Sequence, residues 1–235
     1  MTRWLPYAAV AAVSTLVTAV ATTAWMEREA GGESVRAYLL ENPEVIPEAM
    51  EKLRLKQAAA QIAPRRRELE TPFAGAWIGA EKPDVTLVQF FDYACGFCRA
   101  SLPDIQRLVK EDPKVRIVFR EMPILSPESE EAARVSLAAA DQGRYARFHD
   151  ALYAAGRPGK ASIAAAAKAA GLDPARTETV ARSDAAEREI IRNMELARAL
   201  GFNGTPSWVI GDQALSGAVG YEALKKAVAE ARARG

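Results

Sequence analysis

FFDYACGFCRASLPDIQRLV, residues 90–109, holds both cysteines of the chain, Cys95 and Cys98, with two residues between them. VTLVQFF (85–91) leads into them. That run is β-branched, aromatic and almost wholly apolar, the pattern of a strand covered on both faces. After the cysteines, Ile105, Leu108 and Val109 mark a helical segment reaching about Glu111, with Pro103 expected to kink it. Asp112-Pro113 makes a turn, and VRIVF (115–119) reads as a second buried strand. Strand, helix, strand in this order imply a parallel pair joined by a right-handed crossover.

The cysteine pair admits several chemistries. A disulfide across two intervening residues closes a very small loop, so loop entropy makes it a poor staple. A structural zinc site takes four ligands, and the chain offers two cysteines and one histidine, His149. Two thiolates suit Cu(I), which keeps a non-enzymatic copper carrier in view, with a holdase as the other non-enzymatic reading. The redox reading has direct physical support. Cys95 stands where a strand gives way to a helix, and unpaired amides and the helix dipole there favour a thiolate. A thiolate is the attacking species in disulfide exchange. Cys98, one turn on, lies on the same helix face and can pair with Cys95 or resolve a mixed disulfide.

The remainder of the chain frames this segment. With 235 residues there is room for one sizeable domain plus appendages. Net charge is +1 with mixed signs throughout, so no basic surface for nucleic acid is indicated. Residues 4–25 carry no charge, and as a helix they would just span a hydrocarbon core. Arg3 precedes them, so the body of the chain is expected outside the cytoplasm, where disulfides persist. The segment reads equally as an uncleaved anchor and as a cleavable signal peptide.

Residues 33–70 are polar with a helical pattern. Ser34 and Asn42-Pro43 look like helix starts, with Asn as N-cap. Val35, Leu39, Ile46, Met50 and Leu53 form a thin apolar stripe that needs a partner surface, either the chain's own domain or another copy. Arg65 to Arg67 read as a solvated helix face. Thr71-Pro72, Gly75 and Gly79 are expected to form a linker. Residues 127–200 are helical with several stops, too long for a loop and therefore a helical subdomain inserted between strands. Asp173-Pro174 starts one of its helices and Gly171 ends another. His149 reads as structural. SWVIGDQALSG is a hairpin turning at Gly211-Asp212, and YEALKKAVAEARA is a final amphipathic helix. Ahead of the hairpin, Thr205-Pro206 cannot donate a ladder hydrogen bond, which marks a constrained turn, cis or trans. Asp92, at the end of the first strand, either accepts a proton near the pair or serves the turn.

FDYACGFC with its preceding strand, the helical insert, and GTPSWVI followed by a hairpin and helix resemble the DsbA-like thiol–disulfide oxidoreductases, over roughly residues 76–233. VRAYLLENPEVIPEAMEKL resembles the N-terminal oligomerisation region of the Com1- and ScsC-like branch. The resemblance implies an α/β thioredoxin fold with a helical insertion, preceded by a helical arm. The domains would be residues 1–26 as signal or anchor, 27–72 as oligomerisation arm and linker, and 73–235 as the catalytic domain with its insert at about 127–200. It implies Cys95 as nucleophile and Cys98 as resolving cysteine. Gly96 and Phe97 would be the dipeptide that tunes the potential, Pro206 a cis-proline facing the pair, and Thr205 the residue whose backbone meets substrate. Gly-Phe departs from the Pro-His of strongly oxidising members, so a milder oxidant, or an isomerase or reductase, is in keeping. The implied partners are exported proteins bearing thiols or disulfides and a membrane or periplasmic redox partner. A homodimer or homotrimer and a membrane tether are also implied. No cofactor, metal or nucleic acid is called for.

Overall fold

The computed structural model describes residues 34–234. It divides into two compact units, Met1–Arg54 and Leu55–Gly235. The segment 4–25 lies outside the described residues. Among the described residues, no helix is long and apolar enough to cross a membrane.

In the first unit, helix α1 covers residues 34–41 and is closed by Asn42, whose side-chain amide donates to the Tyr38 carbonyl at 3.0 Å. Helix α2 then begins at Val45. Asn42 therefore ends one helix rather than capping the start of the next, because its amide finds a free carbonyl one turn back. Val35, Tyr38, Leu40, Ile46, Met50 and Leu53 are exposed.

In the second unit, α2 ends at Ile62, followed by a 3-10 turn (Ala63–Arg65) and α3 (Arg66–Glu70). Ile62 and Leu69 are fully buried there, so residues 55–72 belong to the second unit, whereas the sequence assigned them to an arm and linker. The cause is apolar area: these two side chains have core neighbours, whereas none of the described residues 34–54 is buried. Next come β1 (Trp77–Gly79), β2 (Val85–Phe91), α4 (Gly96–Ala100), α5 (Leu102–Glu111) and β3 (Val115–Glu121). Five helices follow: α6 (Pro127–Asp141), α7 (Tyr145–Ala154), α8 (Lys160–Ala170), α9 (Pro174–Ala181) and α10 (Asp184–Ala199). β4 (Ser207–Ile210), β5 (Gln213–Ser216) and α11 (Tyr221–Arg234) close the chain.

The sheet order is β1-β3-β2-β4-β5. β2 and β3 run parallel, and the other neighbours are antiparallel. β1 occupies the stretch expected to be a linker. The glycines that suggested a linker instead permit close approach: a Cβ on Gly75 would stand 2.9 Å from the Ala140 carbonyl oxygen. Pro103 falls in the first turn of α5, where its missing N–H costs nothing, so the helix breaks at Ser101 and does not bend at the proline. Side chains alternate across the sheet. Leu87, Phe91, Ile117, Phe119, Trp208 and Ile210 meet α5, α11 and the insert on one face. Val88, Phe90, Val118 and Val209 meet Ile62, Leu69, Leu196 and Phe202 on the other. This sandwiching puts the C-terminal end of β2, and the cysteines after it, at the rim of a rigid sheet.

Candidate active site

Phe91 is the last residue of β2, and the chain turns through Asp92, Tyr93 and Ala94 into Cys95. Cys95 is the N-cap of α4 in an extended conformation, and its sulfur accepts the amide of Cys98 at 3.4 Å. Both cysteines are free thiols. Cys98 is 1% exposed. Gly96 and Phe97 occupy the turn's outer side. Phe97 is 69% exposed, and nothing lies within 4 Å of where a Cβ on Gly96 would stand.

The remote segment closes over the pair. The Thr205–Pro206 peptide bond is cis, and the Cys95 thiol donates to the Thr205 carbonyl at 3.2 Å. Thr205 and Pro206 are thus brought to the cysteines across 110 residues of sequence. The Thr205 hydroxyl is buried and makes no hydrogen bond.

The two sulfurs are poised oppositely. A hydrogen bond from the Cys98 side chain, supplemented by Thr205 and by the amides of Cys98 and Phe97, pulls the Cys95 thiol down to about 5 against the effect of burial. Burial first, then the neighbouring Cys95, pushes the Cys98 thiol far up. At neutral pH Cys95 is therefore a thiolate and Cys98 holds its proton, the arrangement that separates an attacking sulfur from a reserve one.

Other residues weighed from the sequence find definite places. The Asp92 carboxylate is buried and accepts three backbone amides: Ala94 at 2.7 Å, Ile124 at 2.8 Å and Leu125 at 2.9 Å. Its part is in the turn. His149 is buried in an aromatic cage, with ring contacts to Phe91, Tyr93, Phe119, Tyr145 and Tyr153, and burial drops it to about 3. It is a neutral packing residue. Trp208 is fully buried, and its indole donates to the Gly217 carbonyl at 3.0 Å. Tyr153, unremarked in the sequence, reaches from α7 to the Asp92 carbonyl at 3.1 Å. Nothing in the pattern RYARFHDALYAAG distinguishes it from an ordinary core tyrosine.

A strand–CxxC–helix turn facing a Thr-Pro segment on a mixed sheet with a helical insert defines a thioredoxin-fold thiol–disulfide oxidoreductase. The family model of the DSBA-like thioredoxin domain matches residues 86–229, and that of the copper resistance protein ScsC N-terminal domain matches residues 27–60. The chain belongs to the DsbA-like thioredoxin family, in its ScsC-like branch.

Among solved structures, a thioredoxin-like oxidoreductase from Silicibacter pomeroyi DSS-3 is 40% identical, with a TM-score of 0.65 over 70% of this chain and 95% of that one. Proteus mirabilis ScsC in a transitional conformation is 30% identical, with a TM-score of 0.68 over 86% of this chain and 94% of that one. Among curated relatives, the Na(+)/H(+) antiporter NhaA 1 of Salinispora arenicola is 30% identical over 157 residues, covering 65% of this chain and 24% of the antiporter. The match spans about a quarter of the length of the curated relatives found.

Proposed function

We propose that this chain exchanges disulfides with other exported proteins through Cys95 and Cys98. The observation that carries the reading is the opposed poise of the two sulfurs beside Thr205-Pro206. In the reducing direction, the Cys95 thiolate attacks one sulfur of a substrate disulfide. A Cys95–substrate mixed disulfide forms, and the other substrate sulfur leaves as a thiolate. Cys98 then loses its proton and attacks the Cys95 sulfur. The Cys95–Cys98 disulfide forms, and the first substrate sulfur leaves as a thiolate. The substrate gains two electrons and the pair loses two. Run backwards, the same steps oxidise a substrate dithiol, and an isomerase stops at the mixed disulfide while the freed substrate thiolate attacks elsewhere. Pro206 and the backbone at Thr205 hold the substrate strand by β-addition. Gly96 and Phe97 set the direction in which the pair is poised. A membrane or periplasmic redox partner resets it.

Location outside the cytoplasm is supported by the uncharged segment 4–25 behind Arg3 and by the similarity to ScsC. Signal cleavage would release the chain, and retention of the segment would tether it to the membrane. Self-association as a dimer or trimer is supported by the exposed apolar side chains of residues 34–54. Several sites on one assembly would suit the shuffling of wrong disulfides, which favours isomerase over oxidase as the second reading.

The test is replacement of each sulfur. Cys95→Ser should abolish disulfide transfer to and from a protein substrate. Cys98→Ser should still attack but accumulate the mixed disulfide, visible as a substrate-linked species that dithiothreitol releases. Full activity in Cys95→Ser would sink the proposal.

A further inference from the structure

The helical insert carries a feature that the cysteine site does not use. Helices α6, α8 and α9 stand around a cleft of about 920 Å³, and neither the cysteines nor Thr205-Pro206 line it. Small-molecule sites span about 300–1,000 Å³ and commonly lie between helices, with apolar walls and a few polar groups. The sequence makes the space. Helix α8 reads KASIAAAAKAA, and between its two lysines it turns Ile163, Ala164 and Ala167 to the cleft. Two alanines there leave the space that larger side chains would fill in a close-packed interior. Ile163 and Leu172 in the floor belong to the main core, and Val135 and Ala167 are half-buried against it. The cleft is an open edge of that core.

Polar contacts hold the facing wall in place. Helix α9 buries none of its residues. At its start, the Gln142 side chain donates to the Thr177 hydroxyl at 3.0 Å and accepts the Asp173 amide at 2.8 Å, and Arg176 pairs with Asp141 at 2.7 Å. At its end, the Arg134 guanidinium donates to the Ala181 carbonyl at 3.4 Å. Struts at both ends fix the spacing of α9 from α6, so the cleft is formed in advance of any ligand.

Charge around the mouth is unevenly neutralised. Arg134 pairs with Glu130 at 2.9 Å and Arg182 with Glu178 at 3.1 Å. Lys160 and Lys168 make no ion pair among the described residues. They stand about 12 Å apart along α8, with the apolar floor between them. Glu131 on α6 is also unpaired and repels an anion from its side. The unneutralised positive charge therefore lies along α8.

We propose that this cleft binds a free single-chain anionic amphiphile, a medium- to long-chain carboxylate whose tail lies on Val135, Ile163, Ala167 and Leu172 and whose head meets Lys160 or Lys168. The site is independent of disulfide exchange. Tail burial supplies the affinity, about fourfold for each methylene. An exposed lysine adds at most about fivefold, so the head sets orientation more than strength.

The test titrates the full chain calorimetrically with octanoate, decanoate and dodecanoate, each below its micelle concentration. One carboxylate should bind per chain, tighter by on the order of tenfold for every two carbons added. No saturable heat with any of the three overturns the proposal. Ala164→Phe with Ala167→Leu fills the cleft and should abolish binding while the thermal transition is kept. Binding that persists in this filled variant lies elsewhere in the chain and overturns the site. Lys160→Glu with Lys168→Glu alters exposed side chains alone and should weaken decanoate about tenfold, with 1-decanol unchanged within about twofold. Equal loss for both ligands, or for neither, overturns the role of the anionic head. Should the filled variant fail to fold, the lysine variant decides alone. Flotation with phosphatidylglycerol vesicles separates a free ligand from a lipid surface. Wild type and filled variant should float to the same extent, and loss of flotation in the filled variant overturns the free carboxylate as the occupant.

Discussion

Cys95 owes its character to neighbours only a few atoms away, so its titration tests the site most directly. Its thiol sits at about 5, chiefly through the Cys98 side chain. Ordinary thiols titrate near 8.5. The fold therefore favours the charged form, and the sign of the pH dependence follows. The reduced protein gains stability as pH rises from about 5 to about 8.5, and that gain is lost as pH falls through 5. Ultraviolet thiolate absorbance on the reduced protein should show a midpoint near pH 5. Cys98→Ala should raise that midpoint, since it removes the largest stabilising contact. An unmoved midpoint would mean that the helix end and Thr205 suffice alone.

Elements were legible in the sequence where one physical signal acted locally, and obscure where a tertiary contact decided the outcome. VTLVQFF, VRIVF, the hairpin at Gly211-Asp212 and the Asp173-Pro174 helix start all stand where the pattern put them. β1 was missed because three residues, Trp77–Gly79, are too few to show alternation, and their strand character comes from pairing with β3. The placement of residues 55–72 was obscure for a related reason: besides the burial of Ile62 and Leu69, a distant side chain ties down residues 68–71. Arg120 on β3 is buried, donates to Glu189 of α10 at 2.6 Å and to the carbonyls of Leu69 and Thr71 at 3.2 and 2.6 Å, and also bonds the Glu68 carbonyl. No periodicity announces such a staple. Arg120→Ala strands the Glu189 carboxylate and three carbonyls, so it should cost about 3–5 kcal/mol, read as a fall in urea midpoint. Glu189→Gln should cost less, because the amide oxygen still accepts. The cysteine site was legible for the opposite reason. Its strand, turn and helix are contiguous, and its one distant component, Thr205-Pro206, carries a proline that the sequence displays.

At the scale of the whole molecule, exposed apolar surface is unevenly shared. Residues 34–54 present Val35, Tyr38, Leu40, Ile46, Met50 and Leu53 to solvent. If this stripe joins copies of the chain, Met50→Glu with Leu53→Glu should reduce the mass seen by analytical ultracentrifugation to that of one chain. The second unit, with its own core, should keep its thermal transition. An unchanged mass would place self-association elsewhere. The burial of Cys98 bears on the working life of the protein as well as on its chemistry. Peroxide converts an exposed thiolate to a sulfenic acid, and further oxidation to the sulfinic acid is irreversible in most proteins. Here both sulfurs are nearly buried, Cys95 at 5% and Cys98 at 1%, and it is the low pKa of Cys95, not its exposure, that marks it for that attack. Its sulfenic acid would form beside a protected thiol, which can condense with it to the Cys95–Cys98 disulfide and release water. The damaging oxidant then yields an ordinary state of the reaction cycle, and the sulfur that keeps its proton becomes the repair reagent for the sulfur that does not.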